Sequence, residues 1–390
     1  MGIKRSVDFL SNAKTKKVSY WTLTGIYIFI NALFICKYGE RLNFKVSIVV
    51  LLILVYGSFI GWVAFVFKKK KYVPTLKRSV LSVLYWLIVG VFTVIFSVVV
   101  FSVDGESLSV DRWSALELTV QGITENKYPY SRTDHLGNMS SNFPALGFLG
   151  LPFYLLGDVG YLQVLVFALF AFFVFQTCSK RETSFCILLL YLSSPALIWE
   201  IIAKSDLVSN LFLVFLFIAH WRKRYQGEIL RNPLAFGASV SFLLLTRAIV
   251  IIPLMLIFFR DIWQSKMSTK IRIGISAVLI GILICLPTFI SAQDWETLIK
   301  FNPLSLQANK VPIISYLLLF PIFFIPWITK KYNDHILYSA LIIFAIPLIG
   351  MLYTIVQFGG HLTLFESKFD ISYLSMCIPP ILIWIKNSLD

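Results

Sequence analysis

Residues 80–101 read VLSVLYWLIVGVFTVIFSVVVF and contain no charged side chain. A helix of about 20 apolar residues crosses the roughly 30 Å hydrocarbon core of a bilayer. A helix that is apolar on every side needs lipid or other apolar helices around it. Residues 46–67 and 335–356 are similar apolar runs. The fold is therefore predicted to be built from helices that cross a membrane.

The whole chain has the composition of an integral membrane protein. Of its 390 residues, 58% are hydrophobic and 14% are charged, whereas soluble proteins are about 45–50% apolar and about 25% charged. This composition excludes a disordered chain and argues against a soluble one. We predict an all-α fold, with residues 1–390 forming a single transmembrane bundle of about twelve spans. The predicted spans lie at roughly 20–36, 46–67, 80–101, 159–178, 184–199, 207–220, 233–246, 248–260, 272–291, 312–328, 335–356 and 370–387.

The distribution of charge predicts the orientation of the bundle. If the amino terminus is cytoplasmic and the spans alternate, most lysines and arginines fall in cytoplasmic loops, most densely in 68–79 (KKKKYVPTLKRS). Such an excess is typical of cytoplasmic loops. Both termini are then cytoplasmic, and most acidic residues lie outside. Because the basic residues are spread over short loops, the net charge of +15 indicates contact with anionic lipid rather than with nucleic acid.

The longest predicted outer loop covers residues 102–145, and a loop of this length usually has a function. Residues 109–121 suit a short surface helix in which Ser109 caps the start and Asp111 lies in the first turn. One face of this helix is predicted to be apolar and to lie on the membrane, and it holds Trp113, Leu116 and Val120. Residues 144–157 (PALGFLGLPFYLLG) are apolar but interrupted by proline and glycines, which favours an interfacial or re-entrant helix.

Three acidic residues of this loop are candidates for a chemical role. Asp104, Glu106 and Asp111 lie close together in sequence, and carboxylates are the groups that enzymes use as general bases. Each has a simpler explanation: Asp111 favours the helix dipole, and the other two suit a solvated loop. The trio would also allow a divalent cation such as Mg²⁺ or Mn²⁺, although its spacing matches no calcium loop.

A set of short motifs follows the start of the long outer loop. An acid opens a surface helix in this loop, and a glycine, a Pro-Tyr pair and a Phe-Pro segment follow. Two polar motifs then occur near the outer ends of later spans. The motifs are 111–115 (DRWSA), Gly122, Pro129-Tyr130, 142–146 (NFPAL), 203–206 (AKSD) and 245–247 (LTR). This set resembles the GT-C superfamily of membrane glycosyltransferases, which includes bacterial mannosyltransferases that use lipid-linked sugars.

This resemblance implies a fold and an activity. The fold would be a GT-C-like bundle in the plasma (inner) membrane of a bacterium. A polyprenyl-phosphate sugar would be the donor, and a glycan or membrane lipid would be the acceptor. The loop carboxylate, Asp111 with Asp104 and Glu106 as alternatives, would be the general base. The departing phosphate needs cationic stabilisation.

Basic residues near the outer ends of spans are candidates for that stabilisation. Arg247 is flanked by apolar residues, and an arginine near lipid usually has a partner or a ligand. It would bind the donor phosphate, or else pair with a nearby acid or snorkel. Lys204 and Arg132 are second candidates, with simpler roles as interface or loop charges.

Four further residues are candidates for contact with the substrate. Tyr130 would stack on a sugar ring, while His135 and His361 are the outer histidines and also suit a polar surface. Asp206 would orient Lys204, two residues away, or cap the span that begins at Leu207.

Two other functions fit the same composition. A transporter or flippase for a lipid-linked or anionic solute would have charges at mid-membrane depth and paired broken helices. A polymerase or ligase of the O-antigen type would more often place its arginines in a long late loop, whereas the long loop here is early.

Overall fold

The computed structural model describes residues 2–69, 77–308 and 312–390, with backbone alone for residues 2–17 and Ala308. Lys70, Lys71 and the remainder of 70–76 in the predicted basic loop lie outside the described residues. The described part is all-helical and has no β-strand, as predicted. Short 3₁₀ helices occur at Pro129–Ser131, Ala248–Val250 and Ile313–Phe323. The α-helices are α1 Gly2–Arg41, α2 Val46–Lys69, α3 Arg78–Ser102, α4 Arg112–Thr124, α5 Pro144–Leu155, α6 Tyr161–Thr177, α7 Arg181–Leu192, α8 Pro195–Ile202, α9 Leu207–Arg224, α10 Pro233–Leu244, α11 Ile251–Gln264, α12 Met267–Ile290, α13 Trp295–Lys300, α14 Pro303–Ala308, α15 Ile325–Ile328, α16 Tyr332–Phe358, α17 Gly360–Leu364, α18 Ser372–Ser375 and α19 Ile378–Leu389.

Five helices of the described chain are long and apolar enough to cross a membrane. They are Val18–Arg41 of α1, then α2, α3, α12 and α16. Helices α7 and α8 bend by 60° at a short break and make a sixth span if they are counted together. Several other predicted runs form apolar helices that are too short to cross alone, including α6 and α10. The chain is therefore a membrane protein by its long apolar helices, while the count of about twelve spans stays a prediction.

Helix α19 forms the centre of the bundle. It packs against α1, α7, α9 and α16, and its side chains from Ile378 to Ile385 are all buried. Trp384 is among the largest fully buried side chains. In contrast, α2, α3 and α12 present most of their apolar side chains at the surface of the bundle. An apolar surface of this extent is stable in lipid and not in water.

Polar contacts join several loops at one end of the bundle. Arg41, at the end of α1, donates to Ser109 Oγ at 3.1 Å. Arg247 donates to Asn142 Oδ1 at 2.8 Å, so the turn at 247 and the loop 102–145 lie at the same end. At the opposite end, Ser179 N donates to Asp390 Oδ1 at 2.7 Å.

The surface helix of the long loop differs from its prediction. It begins at Arg112 instead of Ser109, and Asp111 occupies the N-cap position. Leu116 and Val120 do share a face, but they pack against Gly150 of α5 instead of lying on lipid. The close approach of Gly150 explains why α5 buries this face of α4: the glycine has no side chain to hold the two helices apart.

Candidate functional site

A polar cavity of about 540 Å³ lies at the end of the bundle where these loops meet. Its walls come from the end of α1, the start of α4, the end of α16 and the segment after α17. Five charged side chains line it: Lys37, Asp111, Arg112, Lys368 and Asp370. A cavity of this size accommodates a small polar group such as a sugar.

Asp111 has an open carboxylate in this cavity. Although it occupies the N-cap of α4, its side chain makes no capping hydrogen bond. Its one ion-pair contact among the described residues is with Arg112 Nε, at 3.9 Å, and a quarter of its side chain (25%) is exposed. A general base needs such an accessible carboxylate within reach of a substrate hydroxyl. The carboxylate of Asp111 is thus accessible from the cavity, and its catalytic role stays a prediction.

Asp370 is the second carboxylate in the cavity, but its charge is already paired with that of an arginine. Arg112 forms a hydrogen-bonded ion pair with it, and the guanidinium lies 4.9 Å from the centre of the Tyr373 ring. Burial favours the neutral acid, but Arg112 outweighs this effect and holds the pKa of Asp370 at about 2. This carboxylate is a poor proton acceptor, and the pair fixes the position of Arg112 beside Asp111.

Lys37 is a cation of the cavity that was not among the residues predicted from the sequence. It lies in α1 and is 5% exposed, yet its side chain forms no hydrogen bond or ion pair with any described residue. The carboxylate of Asp370 acts on its charge through space, but Asp370 is paired with Arg112. A buried lysine without a partner is costly, and such a residue within an apolar span marks a functional site. The signal in the sequence was a lysine near the end of the first span.

The alternative acids do not line the cavity. Asp104 and Glu106 are exposed in the turn before α4, where Asp104 Oδ1 accepts from the backbone N–H of Glu106 at 3.1 Å. They do not converge with Asp111, and the described part of the chain contains no group of three or more His, Cys, Asp or Glu side chains suited to a metal ion.

Arg247 is neutralised by Asp206. Its Nε and Nη2 donate to the two carboxylate oxygens at 2.6 and 2.7 Å, and Nη2 also donates to Asn142 at 2.8 Å. Both members of the pair are buried, and the geometry is bidentate, which is the strongest form of this interaction. Arg247 also lines an apolar pocket of about 300 Å³ with Gln307 and Tyr316. Asp206 thus orients Arg247, not Lys204 as the sequence suggested.

Lys204 and Arg132 also have acidic partners. Lys204 is buried and forms a hydrogen-bonded ion pair with Asp158. Its φ of 50° lies in the left-handed region, which is uncommon for residues other than glycine. Arg132 lies 3.7 Å from Glu125 and donates to Gln121 at 3.4 Å. Neither Lys204 nor Arg132 lines the polar cavity.

The remaining predicted substrate contacts lie outside the cavity too. Tyr130 is fully buried against Tyr128 and Phe289. Both ring nitrogens of His135 are engaged, Nδ1 with Ser114 Oγ and Nε2 with Leu108 O, each at 2.8 Å.

His361 is exposed and lies between two acidic side chains. Its ring nitrogens lie 3.4 Å from Glu40 and 3.6 Å from Glu366. These contacts join the end of α1 to the loop after α17, beside the cavity but not in its wall.

An apolar groove of about 480 Å³ adjoins the polar cavity. It runs between α1, α2 and α8, with Phe34, Leu52 and Ile198 among its walls. The groove and the cavity share four lining residues, Tyr38, Ser109, Val110 and Trp199. A polar compartment therefore meets an apolar one at the surface of the bundle, which is the arrangement that an amphiphilic ligand needs.

The polar cavity and this groove together form the candidate site. No protein-family model matches the chain, and no match is found among curated proteins or solved structures. The charges and shape of the site are therefore the basis for a functional proposal.

Proposed function

We propose that this chain is a membrane glycosyltransferase of the GT-C type, which moves a sugar from a polyprenyl-phosphate donor to a hydroxyl of a glycan or lipid acceptor. The observation that carries the proposal is the meeting of the polar cavity, with Asp111 and Lys37, and the apolar groove. A polyprenyl-phosphate sugar has an apolar tail and a charged, hydroxyl-rich head, and these parts match the two compartments.

The proposed reaction is a displacement at the anomeric carbon. The carboxylate of Asp111 takes the proton of the acceptor hydroxyl as that oxygen attacks the anomeric carbon. The bond between that carbon and the phosphate oxygen breaks, and polyprenyl phosphate departs with the electron pair. Asp370 does not compete for the proton, because Arg112 holds its pKa low.

Lys37 is the best-placed cation for the departing phosphate. Arg247, Lys204 and Arg132 were predicted to bind it, but each has an acidic partner. Lys37 lines the same cavity as Asp111 and has no such partner among the described residues. A cation held in a partly dry site stabilises developing negative charge strongly, because it need not be desolvated during the reaction. Lys368, which is exposed at the rim, adds a second positive charge.

Trp199 and Tyr38 would orient the sugar. Both line the cavity and the groove, where the head of the donor would join its tail. Their apolar ring faces suit the apolar face of a sugar ring.

The proposed setting is the plasma membrane of a bacterium, with about twelve spans and both termini in the cytoplasm. The cavity would then face outward, away from cytosolic nucleotide sugars, which is why the donor would be linked to a lipid. The concentration of basic residues at the end of the bundle opposite to the cavity supports this orientation.

One observation favours a second candidate, a transporter or flippase for a lipid-linked solute. Helices α7 and α8 form a bent pair with a 60° angle, and broken helices are typical of transporters. However, the described chain has one such pair, whereas repeat-built transporters have two in corresponding positions. The glycosyltransferase proposal therefore remains the better supported one.

The test uses purified protein in lipid vesicles with radiolabelled polyprenyl-phosphate mannose or glucose and an extract of cell-envelope lipids as acceptors. Label in new products and release of polyprenyl phosphate are measured. We expect Asp111→Asn to reduce transfer by about 100-fold or more, the usual contribution of a general base, without loss of donor binding. Asp104→Asn and Glu106→Gln are matched controls and should retain transfer.

Two outcomes would reject the assignment of Asp111. One is transfer at the parent rate by Asp111→Asn, and the other is loss of transfer in either control variant alone. Movement of the intact donor across the vesicle membrane without transfer would favour the flippase.

A further inference from the structure

A second large cavity lies at the end of the bundle opposite to the polar cavity. It has a volume of about 700 Å³ and opens between α6, α9 and α19. We call it the basic groove, because Lys223, Lys386 and His220 line it, with no acidic residue among the lining side chains. It plays no part in the proposed reaction.

Lys386 gives the basic groove a buried positive charge. Its side chain is 6% exposed, and its Nζ donates to Asn387 Oδ1 at 3.1 Å and lies 5.3 Å from the centre of the Phe173 ring. It forms no ion pair with a described residue. The nearby carboxylate of Asp390 instead accepts hydrogen bonds from Ser179 and the backbone of Lys180. A buried ammonium with a neutral acceptor as its one hydrogen-bond partner favours an anionic ligand.

Two residues of α9 extend this charge towards the surface. His220 and Lys223 are three positions apart and therefore lie on one face of the helix. Both are exposed and line the basic groove. Lys223 brings a second permanent positive charge to the opening.

The walls of the basic groove are apolar below this charged opening. Phe172, Leu216, Phe217 and Ile383 are among them, and Leu169 and Phe172 are exposed at the surface of the bundle. A free phosphate ion would gain nothing from such walls. Hydrocarbon chains that lie along α6 and α9 would bury them.

We propose that the basic groove binds an anionic phospholipid, with its phosphate between Lys386 and Lys223 and its acyl chains along the apolar walls. Basic pockets between membrane helices bind phospholipid headgroups in this way. The ligand is a lipid of the surrounding membrane and not the glycosyl donor, so this proposal is independent of the proposed enzyme activity.

The test measures lipid binding to the full chain in detergent micelles, by native mass spectrometry with phosphatidylglycerol and phosphatidylcholine. We expect phosphatidylglycerol to bind more tightly, and Lys386→Gln with Lys223→Gln to weaken it by about tenfold or more, at about 1 kcal/mol for each basic residue. The matched control, Lys180→Gln with Lys330→Gln, removes the same charge at two exposed residues outside the basic groove and should bind as the parent does. Lys223→Gln alone changes an exposed residue and replaces the double variant in the test if the double variant does not fold. This single substitution should weaken phosphatidylglycerol binding about fivefold.

Three outcomes would overturn the proposal. They are equal binding of the two lipids, an equal loss in the control variant, and competition by millimolar inorganic phosphate that displaces the lipid completely. The last result would identify a site for free phosphate.

Discussion

Replacing Asp206 with asparagine should destabilise the bundle strongly, because it leaves the charge of Arg247 buried without a counter-ion. Arg247 now donates two hydrogen bonds to the Asp206 carboxylate, at 2.6 and 2.7 Å. Asp206 is 0% exposed and Arg247 5%. After the substitution, Asn142 and one amide oxygen would remain as acceptors, and neither is charged. Removing one partner of a buried ion pair costs about 3–5 kcal/mol, a large part of the 5–15 kcal/mol that holds a typical domain folded.

Buried cysteines provide the assay. Cys186 and Cys377 are both 0% exposed, so a thiol-reactive fluorogenic dye labels them when the bundle opens. Denaturant titration of detergent-solubilised protein then gives the midpoint of unfolding for parent and variant. The control is Glu125→Gln, which breaks an exposed pair with Lys127 and should leave the midpoint unchanged, because exposed pairs contribute little.

A double variant separates the lost charge from lost packing. Asp206→Asn with Arg247→Met leaves no bare charge, so it should be more stable than Asp206→Asn alone. If Asp206→Asn unfolds at the same denaturant concentration as the parent, or if the double variant is less stable than the single one, the pair does not have the role described here.

Three further predictions follow from the geometry of the site and its loop. Lys37→Met should weaken binding of a labelled polyprenyl-phosphate sugar by about 10- to 100-fold, the value of a charged hydrogen bond, and unchanged binding would remove Lys37 from the site. Arg112 lowers the pKa of Asp370 from 3.8 to about 2, so this carboxylate contributes stability above pH 3.8 that is lost as the pH falls towards 2. Unfolding measurements on Asp370→Asn should lack that part of the pH dependence. A pH profile of stability identical to that of the parent would contradict this prediction. A Cβ at Gly105 would lie 2.1 Å from the Trp113 ring, whereas one at Gly61 would meet nothing within 4 Å. In the same dye assay, Gly105→Ala should therefore lower the free energy of unfolding by about 1–3 kcal/mol, and Gly61→Ala should not. Equal stability of the two variants would refute the steric overlap at Gly105.

The features that depend on local composition were predictable from the sequence. The apolar runs near 46–67 and 80–101 form α2 and α3, because a helix is the simplest way for an apolar chain to satisfy its backbone in lipid. The long loop contains the predicted surface helix, although Asp111 occupies the N-cap position, without a capping hydrogen bond, instead of lying in the first turn. The number of spans stays a prediction, since apolarity alone does not fix where a helix breaks, and α7 and α8 are separated by a short turn.

The partners of charged side chains were not predictable in the same way. Arg247 was expected to have a partner or a ligand, but the sequence does not say that Asp206 reaches it from 41 positions away. Lys204 pairs with Asp158 for the same reason: contact depends on how helices pack, not on spacing along the chain. Lys37 was not predicted, because the sequence does not show that its ammonium group is buried in the cavity without an ion-pair partner among the described residues.

The central position of α19 has a consequence for how the protein is made. Every other described helix leaves the ribosome before α19 does, yet α1, α7, α9 and α16 all pack around it. Until α19 is synthesised, the side chains that these four helices pack against it have no such partner. A chain that lacks α19 would leave the apolar side chains of these four helices without their packing partner, and exposed apolar surface makes incompletely folded chains prone to aggregation.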